Sequence, residues 1–147
     1  MTDLSGTVAL ITGAGQGVGQ GIALALAAAE AKVAVTGRTL AKLEATCALV
    51  AERGGEALAI EGNVKDAVSL ADMVAQTVSR FGGLDILVNN AQEVPNGKLM
   101  DVSDEAFLAG FESGPLASFR LMKLAHAHMV ARGGGVIVNL ASSDRKS

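Results

Sequence analysis

The stretch Thr12-Gly13-Ala14-Gly15-Gln16-Gly17-Val18-Gly19 constrains this chain more than any other. The apolar run Val8-Ala9-Leu10-Ile11 leads into it, and the Ala/Leu stretch from Ile22 to Ala29 leads out. A buried-type strand that turns through glycines into a helix is an arrangement that binds the phosphates of a dinucleotide. Glycine lets the backbone turn tightly and come close to a ligand. The first free N–H groups of the helix then point at the phosphate, with the positive end of the helix dipole behind them. Three glycines at this spacing find their joint explanation in phosphate approach. The competing readings are a tight turn with no ligand, and a methyltransferase-type turn holding an S-adenosyl group.

The rest of the chain repeats the same unit. Thr7–Thr12 reads as a first strand, apolar throughout, as suits a parallel sheet covered on both faces. Gly17–Glu30 forms the first helix and Val33–Thr36 a second strand. Thr39 caps a second helix reaching Arg53, with Leu40, Leu43, Cys47 and Val50 on one face and Gly54-Gly55 as its stop. Ala57–Ile60 is a third strand. A third helix starts near Asp66 and ends at Arg80-Phe81-Gly82-Gly83, with Val68, Ala71, Val74, Ala75 and Val78 facing inward. Leu84–Val88 is a fourth strand, and Ala91–Met100 a loop. Ser103-Asp104-Glu105 opens a helical stretch to Arg132, which Gly114-Pro115 interrupts. Gly133-Gly134-Gly135 ends it, and Val136–Leu140 is a fifth strand. Strands alternating with helices specify an α/β fold: a three-layer doubly wound parallel sheet, Rossmann-like, with strand order 3-2-1-4-5. Ligands in such sheets sit at the carboxyl ends of the strands, beside strand one. That gathers Thr12–Gly19, Gly37-Arg38, Asn63, Asn89–Gln92 and Ala141–Ser143 around one crevice. Residues 1–147 form a single domain.

Composition narrows the setting. Net charge is −3 and no basic stripe interleaves with aromatics, so nucleic acid is not the expected partner. No apolar run approaches the ~18 residues that span a bilayer, and the acidic start Met1-Thr2-Asp3-Leu4-Ser5 is not a secretory signal. The single Cys47 cannot form an internal disulfide, so the expected location is cytoplasmic. Its spacing from Leu43 and Val50 makes it a core thiol. His126 and His128 lie two apart on a helix, face different ways and make no metal pair. Arg38 follows strand two, where a carboxylate would bind the adenosine ribose 2′-OH; a cation there suits a 2′-phosphate, so NADP(H) is favoured over NAD(H).

These motifs resemble the short-chain dehydrogenase/reductase family over the whole chain. Its Thr-Gly-x-x-x-Gly-x-Gly turn is matched by Thr12, Gly13, Gly17 and Gly19. Its Asn-Asn-Ala-Gly after strand four is matched by Asn89-Asn90-Ala91, with Gln92 in place of Gly, and this match favours the family over the methyltransferase reading. Val136–Ser142 follows its fifth strand ending in serine. The resemblance implies hydride transfer between a nicotinamide and a carbonyl or secondary alcohol. It implies cofactor contacts from Thr12, Gly13, Gly15, Gln16, Gly17, Val18, Gly19, Arg38, Asn63, Val64, Asn89 and Ala91, with Ser142 as the catalytic serine that orients substrate oxygen. Asn63-Val64 stands where the family has an adenine-contacting Asp-Val; the asparagine equally serves a local turn. Gln92 adds a side chain where a cofactor ribose approaches.

The departures from the family pattern are specific. Gly114 stands where its mid-helix Asn falls, and the Tyr-x-x-x-Lys motif would come after Ser147. No tyrosine occurs in the 147 residues. The resemblance therefore implies a domain without the family's last strands, one that binds dinucleotide and is inactive alone; a non-catalytic dinucleotide- or partner-binding module is the alternative. The stretch Leu99–Val130 holds Met100, Phe107, Phe111, Phe119, Met122 and Met129, for which core packing accounts in the main. The resemblance implies that part of this face is buried in a homo-oligomer. Strand five as a bare apolar edge leads to the same expectation of self-association.

Overall fold

A computed structural model describes residues 2–141 of the chain. Five strands, β1 (Val8–Thr12), β2 (Lys32–Gly37), β3 (Ala57–Glu61), β4 (Ile86–Asn89) and β5 (Val136–Asn139), form one parallel sheet in the order β3-β2-β1-β4-β5. The order is the expected one, and every neighbouring pair is parallel. Helices α1 (Gly17–Ala28), α2 (Leu40–Glu52), α3 (Ala67–Phe81), α4 (Asp104–Phe111) and α5 (Ala117–Ala131) supply the crossovers.

Side chains alternate across a strand, so each strand feeds two cores. Ala9, Ile11, Val33, Val35 and Val88 join Leu43 and Val50 of α2 on one face of the sheet. Leu10, Ala34, Ile60 and Leu87 join Leu70, Met73, Leu121 and Ala125 of α3 and α5 on the other. Every residue of β1 is buried, as a central strand under two helical layers requires.

The α3 face differs in part from the expected one: Val74 and Val78 face the core as expected, while the other three do not. Leu70, Met73, Val74 and Thr77 are buried, whereas Ala71 and Ala75 are exposed and Val68 is 77% exposed. Two stripes compete at helical spacing here, and the one with Leu and Met removes more apolar area from water. On α2, Leu43 and Val50 are buried as expected, but Leu40 is exposed and Thr46 takes the third inward position. Thr39 precedes α2 without a side-chain cap; its carbonyl alone accepts from Lys42 and Leu43. Asp66 and Ser103 do cap their helices, accepting from the Val68 and Ala106 N–H at 3.0 and 3.1 Å.

Gly114-Pro115 does not interrupt the long helical stretch. Glu112–Leu116 forms a π-helical turn that joins α4 to α5. A proline ring collides with the carbonyl four residues back; one extra residue in the turn relieves the collision while the chain stays helical. α5 buries Ala117, Leu121, Ala125 and Met129, a stripe of every fourth residue. Met100, Phe107, Phe111 and Phe119 lie outside that stripe and are exposed, contrary to core packing.

Candidate functional site

The glycine turn sits at the carboxyl end of β1, and its glycines divide by role. A Cβ on Gly19 would stand 2.2 Å from the Gly13 carbonyl oxygen and 2.5 Å from Asn90 Nδ2. One on Gly13, at φ +64°, would stand 3.0 Å from Ala91 Cα. These two glycines are required because the turn folds against itself and against the end of β4. Gly17 is different. Its φ is +58°, and nothing lies within 4 Å of where its Cβ would be. Gly13 and Gly19 are thus demanded by internal packing whatever the ligand, while Gly17 leaves an open face.

Asn90 locks this turn. Its Nδ2 donates to the Thr12 and Gly13 carbonyls, both at 3.0 Å. Thr12 Oγ1 accepts from the N–H groups of Asn90 and Ala91 at 3.0 and 2.9 Å. Thr46, fully buried on α2, donates from Oγ1 to the Ala14 carbonyl at 2.9 Å and accepts from Gln20 Nε2 at 3.0 Å. Asn89 turns the other way: its Nδ2 donates to Asn139 Oδ1 of β5 at 2.8 Å, and it is buried.

Beside the turn lies a crevice of about 390 Å³, within the size range of small-molecule sites. Gly13, Gly15, Gln16 and Gly17 form its floor near α1; Arg38, Asn63, Val64 and Ala91 line it from the ends of β2, β3 and β4. Eight of the expected contact residues therefore converge. Thr12 and Gly19 stand behind the turn as supports, Val18 is exposed on α1 outside the lining, and Asn89 faces β5. Ser142 lies outside the described residues. Asn63 shapes its own turn, with Oδ1 accepting from the Lys65 N–H at 3.0 Å.

Comparison with known proteins agrees with this geometry. A family model described as short chain dehydrogenase matches residues 7–146. The chain belongs to that family. An oxidoreductase of Thermotoga maritima is 43% identical over 141 residues, which cover 95% of this chain and 55% of the relative. The ketoacyl reductase HetN of a Nostoc species is 38% identical, covering 97% of this chain and 50% of the relative. A metagenomic short-chain oxidoreductase crystallised in complex with NADP superimposes with a TM-score of 0.89 at 30% identity, covering 98% of this chain and 66% of that one. The chain spans about half the length of the curated relatives it matches.

Short chain dehydrogenase relatives imply a dinucleotide, and the residues present suit one. No side chain caps the start of α1: Gln16, the residue before it, is extended and makes no capping bond. No acidic residue lies in the first turn, so no internal carboxylate answers the positive end of the helix. The bare side of Gly17 is where a phosphate would be received. Gln16 Oε1 instead accepts from Lys42 Nζ at 2.7 Å, which brings a cation to the rim of the crevice. Arg38 and Lys65 add two more cations, and both reach Glu93, on the loop after β4.

Two departures from the family pattern prove to be neighbours. A Cβ on Gly114 would lie 3.3–3.5 Å from the side-chain amide and Cγ of Gln92. Gln92 fills the space that Gly114 leaves open, at the end of the crevice formed by the π-turn. Sequence reasoning missed Thr46, Lys42, Lys65 and Glu93. Nothing in their spacing separates them from ordinary helix and loop residues; the tertiary packing brings Lys42 and Glu93 to the crevice, sets Thr46 behind the turn and pairs Lys65 with Glu93.

Proposed function

We propose that this chain binds NAD(P)(H), with NADP(H) preferred, as the dinucleotide-binding part of a reductase acting on a carbonyl or secondary alcohol. When bound, the nicotinamide would supply the hydride chemistry. The supporting observation is the uncapped start of α1 at Gly17, open to a crevice whose far wall carries Arg38. Gly13, Gly15, Gln16 and Gly17 would hold the phosphates, Arg38 and Lys65 a 2′-phosphate, and Asn63, Val64 and Ala91 the adenosine. Support for the cofactor class comes from the metagenomic relative bound to NADP. The test is titration with NADPH and NADH, followed by nicotinamide fluorescence. Saturable binding is expected, tighter for NADPH; absence of binding at millimolar cofactor overturns the proposal.

A second reading, cofactor binding without turnover, is favoured by Gly114, which stands where the family pattern has its mid-helix Asn. A proton donor working near neutral pH is needed for carbonyl reduction, and His126 and His128 on α5 do not line the crevice. Binding of NADPH with no oxidation across a panel of ketones and aldehydes would decide for it.

A further inference from the structure

The loop after β4 carries a carboxylate into the cation cluster of the crevice. Glu93 Oε1 lies 2.9 Å from Lys65 Nζ in an ion pair and accepts from Arg38 Nη1 at 3.2 Å. The three residues come from three walls: Arg38 from the end of β2, Lys65 from the loop after β3 and Glu93 from the loop after β4. The backbone of Glu93 is held from behind. The Glu93 N–H donates to Ser113 Oγ at 2.8 Å, and Ser113 is buried in the π-turn. The Glu93 carbonyl in turn packs on Gly110, where a Cβ would stand 3.1 Å away. The Glu93 backbone is thus fixed, and its partly exposed carboxylate lies between two cations. It lies on the two cations that a phosphate on the adenosine ribose would use.

We infer that Glu93 is a selectivity-determining residue of this site, its carboxylate competing with an adenosine 2′-phosphate for Arg38 and Lys65. The inference rests on the reading of the crevice as a dinucleotide site. A ligand with only hydroxyls on that ribose need not displace Glu93. A ligand with a phosphate there must either displace it or bind beside a like charge, which is unfavourable. Glu93 therefore lowers the preference for NADP(H) that the cations alone would set, and leaves NAD(H) nearly untouched.

The test is calorimetric titration of the full chain and its E93Q variant with adenosine 2′,5′-bisphosphate and with 5′-AMP, at low ionic strength. E93Q should bind the bisphosphate about fivefold more tightly, the size of a removed surface ion pair, and 5′-AMP within about twofold of wild type. The gain should shrink in the R38Q background and vanish in R38Q/K65Q, where both cations paired with Glu93 are neutral. Equal tightening of both ligands, an unchanged or weaker bisphosphate, or a gain that survives R38Q/K65Q overturns the inference. Glu93 is partly exposed, so E93Q is expected to keep the wild-type circular dichroism, and E93A provides a second variant with the same expected direction. Binding of 5′-AMP without discrimination by E93Q refutes the role of Glu93 alone. Failure of wild type and variants to bind either nucleotide refutes the dinucleotide reading itself.

Discussion

Replacing Gly19 by alanine tests whether the turn's glycines serve packing or ligand. Alanine is the better helix former by about 1 kcal/mol, and the φ of Gly19 is not positive, so local backbone preference favours the change. Tertiary contact opposes it. The new methyl would stand 2.2 Å from the Gly13 carbonyl oxygen and 2.5 Å from Asn90 Nδ2. Neither is the free end of a flexible chain, because Asn90 is held by two hydrogen bonds to the turn. Overpacking of this kind costs about 1–3 kcal/mol, and breaking the Asn90 bonds leaves carbonyls unpaired at about 1–3 kcal/mol more. The net is a loss of about 1–5 kcal/mol, centred near ~3, a large share of the ~5–15 kcal/mol of a typical domain. Gly21 is the internal control. It lies on the same helix with nothing within 4 Å of its Cβ position, so G21A should gain about 0.5–1 kcal/mol. Urea denaturation followed by circular dichroism reads both. With a slope of ~1–3 kcal/mol per molar, G19A should lower the midpoint by about 1 M or more, and G21A should raise it slightly. A G19A midpoint at or above wild type would falsify the packing argument.

Further consequences are open to direct measurement. R38Q should weaken NADPH binding by about tenfold while changing NADH less than about threefold, as expected when a cation facing a phosphate is lost; equal losses would show that Arg38 does not choose between them. D85A should cost about 2–3 kcal/mol in urea unfolding, because Asp85 accepts from Arg132 at 3.1 and 3.2 Å and from the Val8 N–H at 2.8 Å; a loss below about 0.5 kcal/mol would leave this clamp without weight. Burial, with a smaller push from the Glu44 carboxylate, raises the Cys47 thiol above its ordinary value. A thiol raised in the folded state stabilises the fold fully below the ordinary thiol range, and that contribution is lost as pH rises through the folded value. Iodoacetamide at pH 8 should accordingly label Cys47 slowly in native protein and quickly in urea, and equal rates would contradict its burial. The exposed Phe107, Leu108, Phe111 and Phe119 should drive self-association of this chain; a monodisperse monomer by light scattering would refute that expectation.

The alternation of apolar strands with helices, the strand order and the glycine turn were all legible in the sequence. They depend on local period and on residues a few positions apart. Asp66, Ser103 and Gly82 mark their helix ends for the same reason, since a cap or a left-handed residue acts within one turn. What the tertiary structure decided is of another kind. It chose Leu70-Met73-Thr77 over Val68-Ala71-Ala75 as the buried stripe of α3, because only the sheet shows which stripe removes more area from water. It carried the helix through Pro115 by widening one turn. It turned Asn89 toward β5 and gave Asn90 the task of locking the turn. It assigned Gly13 and Gly19 to packing and left Gly17 open, a division invisible in the spacing. Arg38 was legible as a lone cation after a strand. That it shares a carboxylate with Lys65 was not, because the separations of 27 positions from Arg38 to Lys65 and 28 from Lys65 to Glu93 are closed only by the parallel sheet order β3-β2-β1-β4.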